Sequence, residues 1–225
     1  MDRAMARVGW AVLVACLAAG ASAAAGAEPV ELFNGKDLAG WKCFVHESAK
    51  TMPEVWRVED GLLITGGEPL GYLYTTAAYQ DYRLIVEWRW APGKTPGNSG
   101  VLLRIAGDAI SFLPKCYEAQ LQSGNAGDIY GFYGLPLEGP ADRLKAITHE
   151  VLGSFRGVSR IKGAEKAPGE WNRYEITVRG GTITLLINGE KVNEATGCGV
   201  HSGAIGLQSE GGEIHFRKVS LTPLK

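Results

Sequence analysis

The ten residues Asp81–Trp90 alternate so strictly that they admit little besides a strand. Tyr82, Leu84, Val86, Trp88 and Trp90 fall on one side; Arg83, Ile85, Glu87 and Arg89 fall on the other. Successive side chains of a strand point to opposite faces, so one face of this segment can enter a core while the other stays wet. The same period of two sets Tyr174, Ile176 and Val178 against Glu175, Thr177 and Arg179. Turn residues separate such runs. Asn188-Gly189 follows the apolar run from Ile183 to Ile187, Asp60-Gly61 divides Trp56-Arg-Val-Glu from Leu62-Leu-Ile-Thr, and Gly180-Gly181 makes a third turn. Asn-Gly accepts the positive φ of a two-residue hairpin. Many short strands with few helical runs predict an all-β fold, an antiparallel two-sheet jelly-roll sandwich. Residues 131–169 depart from the pattern, and Pro140–Leu152 has the composition of a short helix. A long loop or short helical insertion is expected there, either functional or packed as a decoration on the sandwich edge.

The N-terminus reads as an export segment. Arg3 and Arg7 precede an apolar run from Val8 to Gly20, and small residues lead to Ala25-Gly-Ala27 before Glu28-Pro29. Basic, apolar and A-x-A-like parts in that order predict a secretory signal peptide over residues 1–27. The apolar run is shorter than the roughly 20 residues a membrane span needs, so no transmembrane span is expected in the mature chain. Leu13-Val-Ala-Cys16 offers a competing reading, lipid anchoring through Cys16, and both place the protein outside the cytoplasm, in the periplasm or beyond the cell. Cleavage after Ala27 leaves 198 residues, a size suited to one domain over 28–225. The balance of 21 basic and 23 acidic residues then carries no cluster that would grip nucleic acid. Cys43, Cys116 and Cys198 lack zinc-site spacing; they read as small buried residues or as one disulfide plus a thiol.

Three segments read as gathering polar side chains on one sheet face. The first supplies Glu87 and Arg89. The second, opening Gly97-Asn98-Ser99-Gly100, places Arg104 beside Leu102, opposite Val101, Leu103 and Ile105. The third sets Glu118, Gln120 and Gln122 against Tyr117, Ala119 and Leu121. A wet sheet face with cross-strand pairs such as Arg104 and Glu118 is the ordinary explanation. Planar guanidinium and amide groups on a rigid sheet also suit sugar hydroxyls, with aromatic rings covering the apolar sugar face. Near the C-terminus Gly206, Gln208 and Glu210 share a face, and the glycines after Glu210 make a turn that presents its carboxylate. His215, alternating with Ile214 and Phe216, reads as structural.

The chain has no G-x-S-x-G elbow and no H-E-x-x-H, the main supports for serine-hydrolase and zincin chemistry. Retaining glycoside hydrolysis by a dense E-x-D-x-E strand is disfavoured as well, because Glu118-Ala-Gln-Leu-Gln122 has amides where the further acids would stand.

Seven motifs then occur in order: Leu32-Phe-Asn-Gly-Lys-Asp-Leu-Ala-Gly-Trp41, Trp56-Arg-Val-Glu-Asp-Gly-Leu62, Tyr79-Gln-Asp-Tyr82 through Glu87-Trp-Arg89, Gly97-Asn-Ser-Gly100, Gly169-Glu-Trp-Asn172, Leu186-Ile-Asn-Gly189 and Ile205-Gly-Leu-Gln208. Together they resemble the 3-keto-disaccharide hydrolase family across about Glu31 to Leu221. The resemblance implies a concanavalin/laminin-G-like jelly roll that cleaves 3-keto-glycosides. A partner oxidoreductase would make the C3 ketone; the enzyme would take the acidified C2 proton, expel the C1 substituent and hydrate the glucal. Proton abstraction beside a ketone needs one base and something to stabilise the enolate. On this resemblance Glu118 is the expected base and Arg104 or Arg89 the enolate stabiliser. Glu210 or Tyr130 would protonate the leaving oxygen, and Asn98, Gln120 and Gln208, with Glu87 nearby, would hold substrate. His149 is a loop-borne contributor from the 131–169 region. A divalent cation in the arginine's role would look to Asn125 and Asp128 for oxygen ligands; no other cofactor is implied. The same polar face would equally serve a non-catalytic carbohydrate-binding module, and a structural protein of the envelope is a third reading.

Overall fold

The computed structural model describes residues 27–47 and 49–225; the expected export segment, Cys16 included, lies outside them apart from Ala27. In chain order the elements open with β1 (Val30–Glu31), β2 (Trp41–Val45), a single-turn α1 (Met52–Val55), β3 (Trp56–Glu59), β4 (Leu62–Thr65) and β5 (Gly71–Thr75). The middle of the chain gives β6 (Tyr82–Trp90), β7 (Gly100–Ala109), β8 (Pro114–Gln120), β9 (Ile129–Gly131), β10 (Leu144–His149) and β11 (Gly153–Val158). It closes with β12 (Asn172–Arg179), β13 (Thr182–Ile187), β14 (Glu190–Ala195), β15 (Ala204–Ser209) and β16 (Ile214–Pro223).

Two antiparallel sheets form the expected jelly-roll sandwich. The first runs β14-β13-β12-β6-β16-β4-β3, with β1 on β16; the second runs β10-β11-β9-β8-β7-β15-β5-β2. The aromatic stripe of β6 is the heart of the layer between them. Tyr82, Trp88 and Trp90 are fully buried there with Trp56, Tyr117, Tyr174 and Phe216. The turns form where their chemistry places them. Asp60 and Gly61 take φ of 50° and 75°, and Asn188 and Gly189 take 53° and 84°, the left-handed values a tight hairpin requires.

Two expectations are corrected. The Pro140–Leu152 segment is not a helix; Leu144–His149 and Gly153–Val158 pair as the β10–β11 hairpin, which extends the second sheet through β9. Nor do the three polar segments share one face. β6 sits in the first sheet between β12 and β16, so Glu87 and Arg89 lie on the outer surface opposite the second sheet. There Arg173 and Arg217 donate to Glu87, while Arg89 stacks over Trp171 at 4.6 Å and reaches His215. His215 is held between Arg89 and Glu213, as a structural residue is.

The second sheet carries an apolar cluster on its outer face as well. Tyr72, Leu102, Ile105, Phe112, Leu113, Cys116, Phe132 and Leu152 pack there, away from the main core. Cys43, Cys116 and Cys198 are unpaired, and Cys116 and Cys198 are buried. Burial drives the Cys116 thiol well above its ordinary range, so it acts as a small apolar residue. No helix among the described residues is long and apolar enough to cross a membrane.

Candidate active site

The outer face of the second sheet holds a cavity of about 240 Å³ bounded by β8, β9, the β7–β8 connection and the β10–β11 hairpin. Asn98, Glu118, Gln120, Tyr130, His149 and Glu210 all line it. Asn98, Gln120 and Glu210 sit where neighbouring strands end, Glu118 and Tyr130 lie within β8 and β9, and His149 comes from the tip of the hairpin.

Glu118 is the deepest of them. On β8 it stands across from Leu102 on one side and Tyr130 on the other, and its side chain is almost wholly buried. The carboxylate leans over Gly100. A Cβ at residue 100 would come within 2.0 Å of Glu118 Oε1, so the absence of a side chain there makes room for the acid. The rest of Gly97-Asn98-Ser99-Gly100 has an equally concrete use. The Asn98 backbone N–H donates to Gly211 O at 2.9 Å, the Ser99 hydroxyl donates to Gln208 O at 2.8 Å, and Gly97 abuts the Gly211-Gly212 backbone with no space for a Cβ. Those two glycines adopt φ of 92° and 81°, turning the chain directly after Glu210. Asn98 and Glu210 themselves form an isolated bridge. The motif thus clamps the end of β15 to the start of β7 and fixes Glu210 in the cavity.

Burial is the main influence on both acids. It raises Glu118 well above the ordinary carboxylate range, with Glu210 and Asp128 adding repulsion. Glu210 is pushed up to about 7, again chiefly by burial, while the amides of Asn98 and Gln208 offset part of the rise. Around the pair lie polar atoms with no hydrogen-bond partner among the described residues: Glu118 Oε1, Asn98 Oδ1 and Gln208 Oε1. Buried polar atoms are paired in the great majority of cases, so such a cluster marks a place built to meet a polar ligand. Gln120 is more committed, its Oε1 accepting from the amides of Leu121 and Gln122.

Tyr130 lines the cavity, but its hydroxyl donates to Asp128 Oδ2 at 3.1 Å, and burial together with Asp128 raises its pKa. His149 accepts from the amides of Val151 and Leu152 through Nδ1, which leaves Nε2 as the proton-bearing nitrogen when the ring is neutral.

Arg104 is not in the cavity. It takes φ of 52° where the β7–β8 register breaks between Leu103 and Ala106, and this bulge inverts the alternation. Ile105 therefore faces the outer cluster, and the Arg104 guanidinium is buried among the carbonyls of Gln80, Gly180 and Gly199 and the Asp81 carboxylate. Asn125 and Asp128 do not fit as cation ligands. Asn125 Oδ1 accepts from the Arg160 guanidinium and Asp128 Oδ1 from its amide. Among the described residues no three His, Cys, Asp or Glu side chains gather as a metal would need. The apolar walls from Phe112, Leu113, Phe132, Ile147, Leu152 and Phe155 were not singled out from sequence. Their signal was weak, since isolated aromatics near turns look like any other core residue.

One prediction tests the clamp directly. Gly100→Ala retains an ordinary backbone conformation but puts a methyl where the Glu118 carboxylate lies. The variant is expected to fold, as circular dichroism would register, and to lose at least about a hundredfold in kcat/KM through misplacement of one acid.

The two-sheet jelly roll is of the concanavalin-like fold, with the cavity and its two carboxyls on one outer sheet face. Residues 28–222 match the 3-keto-alpha-glucoside-1,2-lyase-like domain, and the chain belongs to that carbohydrate-active family. No curated protein sequence matches it. Among solved structures, a proposed glycosyl hydrolase of Parabacteroides distasonis ATCC 8503 is similar, with a TM-score of 0.61 and 21% identity over 88% of this chain and 94% of that one. Bacillus licheniformis β-glucanase superposes with a TM-score of 0.57 at 13% identity, over 90% of this chain and 100% of the other. A carbohydrate-binding module from Bacillus subtilis gives 0.54 at 12% identity, over 80% and 94%. At these identities the likeness establishes the fold.

Proposed function

We propose that the protein cleaves 3-keto-glycosides by elimination and hydration, a net hydrolysis. The observation that carries this reading is the pair of carboxyls in one cavity, Glu118 almost wholly buried and Glu210 half-buried at its edge, burial raising the pKa of both. Of two neighbouring carboxyls, the more deeply buried keeps its proton more firmly and the half-buried one ionises first, which divides them into acid and base. Glu210 is the base and Glu118 the proton donor, the reverse of the roles expected from sequence. Glu210 takes the C2 proton, made acidic by the C3 ketone. The electron pair forms the C1–C2 double bond as the C1–O bond breaks, and Glu118 gives its proton to the departing oxygen. Water then adds at C1 and yields a proton to Glu118, while Glu210 returns its proton to C2. The sum is glycoside plus water to 3-keto-sugar plus alcohol.

Donors aimed at the developing enolate are the other requirement. The Asn98 and Gln208 side-chain amides, which already face Glu210, supply it in place of Arg104, and Asn98 is the one that lines the cavity. Tyr130 serves to orient Asp128 and the cavity wall. Upstream, the reading requires an oxidoreductase that installs the ketone, and the basic-apolar-small N-terminus supports export of the chain.

The test is incubation of the purified protein with a 3-keto-glucoside carrying a chromogenic leaving group, beside its unoxidised parent, with and without chelator. Release is expected only from the keto substrate, and C2 deuterium should wash out into water. Since Glu210 must be ionised and Glu118 protonated, kcat/KM should rise as pH climbs through about 7 and fall again at higher pH. Equal release from the unoxidised glucoside would sink the elimination mechanism. Glycan binding without cleavage, equally strong in Glu210→Gln, would assign the face to a binding module.

A further inference from the structure

The cavity is graded along β8. Its C-terminal end is polar, with Gln120, Glu210 and Asn98. One step back, Glu118 faces Tyr130 across the β8–β9 pair. Beyond that the lining is apolar apart from His149 at the hairpin tip. Phe132 lies beside Cys116, its amide bonded to Cys116 O at 3.0 Å, and Leu113 and Phe112 close the far side. The β10–β11 hairpin leans over this apolar half. Ile147 and Phe155 are directly paired across its two strands, so both present the same face to the cavity. The Phe155 ring lies 4.8 Å from that of Phe132 and meets Tyr130 edge-on at 5.9 Å.

This gradient bears on what leaves from C1. The reacting sugar must sit where the acids and amides are, so its C1 substituent extends along the strand into the apolar half or out past the hairpin. A second hexose there would press hydroxyls against carbon, and each one buried without a partner costs about 1–3 kcal/mol. Hydroxyl partners are few there: Tyr130 OH donates to Asp128, and Ser111 Oγ and Tyr133 OH bond each other at 2.7 Å. An aromatic or alkyl group gains instead by burying apolar area against the rings.

We propose that the substrates of this protein carry an aromatic or alkyl aglycone rather than a second sugar, and that Ile147 and Phe155 of the β10–β11 hairpin select it. This rests on the 3-keto-glycoside reading and specifies its substrate class. The hairpin occupies the very region where sequence suggested an insertion, and on this assignment that segment forms the aglycone wall.

The experiment uses the purified protein and three 3-keto-glucosides of one anomeric form, bearing 2-phenylethanol, glucose or methanol at C1. Phenylethanol is a poorer leaving group than a sugar hydroxyl, so chemistry alone favours the disaccharide. The expected result is kcat/KM about tenfold or more higher for the phenylethyl substrate than for the disaccharide. Phe155→Ala and, independently, the milder Ile147→Thr should each lower the phenylethyl-to-methyl ratio of kcat/KM by about tenfold. A disaccharide preference, with that ratio unmoved in both variants, overturns the aglycone assignment and leaves the 3-keto reading standing. Absence of release from all three overturns that reading, and the aglycone assignment with it.

Discussion

Glu210→Gln is expected to lose between about a hundredfold and ten-thousandfold in kcat and yet to melt at a higher temperature than the parent protein above pH 8. Both effects come from the same burial. Glu210 is forced to a pKa of about 7 from an ordinary 4.5. A carboxyl whose pKa is raised on folding binds its proton more tightly in the folded state. Its contribution to stability is therefore fully present below about 4.5 and is lost as pH rises through about 7. Above that value the folded protein holds an ion in a place that disfavours it, at a cost of order 3 kcal/mol. Glutamine keeps the shape and removes the ion. Thermal melts at pH 4 and pH 8 should thus show near-equal stability at the lower pH and a variant more stable by several degrees at the higher. Activity assays on the same samples give the other half. A variant as active as the parent removes Glu210 from the base role; a variant destabilised at pH 8 contradicts the burial argument itself. A base kept against the interest of stability is the usual sign that a site has been shaped for reaction.

How far this site was legible in sequence depends on what kind of signal each residue gave. The sandwich was legible because β6 and β12 alternate without interruption and because Asp60-Gly61 and Asn188-Gly189 have few other uses. Glu118, Gln120 and Gln208 were found as polar residues alternating along strands, Asn98 and Glu210 as polar residues beside glycine turns, and the structure brings all five together on the second sheet. Glu87 and Arg89 gave the same alternating signal and still belong elsewhere. Period two says that a residue is opposite the core, but it does not say in which sheet. That is decided by long-range pairing, here β6 with β12 and β16 rather than with the next strand in the chain. Residues 140–152 were misread for a related reason. Leu144–His149 has no strong alternation because most of the hairpin is exposed, and it is a strand through pairing with Gly153–Val158. Gly153, at φ of 68°, was the local clue to a turn.

Arg104 was misplaced for another reason, a single bulge, and it carries the largest expected effect on stability. Its guanidinium reaches Gly199 O at 2.6 Å, Gly180 O at 2.9 Å, Gln80 O at 3.0 Å and Asp81 Oδ1 at 3.2 Å, with no exposed surface. One planar cation thus joins the connection before β6, the β12–β13 turn and the segment before β15. Asp81 Oδ1 also accepts from the Gly180 amide at 2.9 Å, tightening the same junction. Arg104→Met would fill much of the volume but leave three part-buried carbonyls and the Asp81 carboxylate without their cation. Removing one partner of such a network costs about 3–5 kcal/mol, or roughly 10 °C in a protein of this size. Arg104→Lys should recover little, since a single ammonium cannot span acceptors arranged for a planar fork. Denaturant titration of both variants distinguishes this account from the catalytic role that sequence suggested. A structural Arg104 predicts a lowered midpoint, with residual activity that tracks the folded fraction. An enolate-stabilising Arg104 predicts a parent-like midpoint and a collapsed kcat. The geometry of the bulge commits to the first outcome, because a side chain enclosed between the turns that close the sandwich has no route to a substrate on the sheet's outer face.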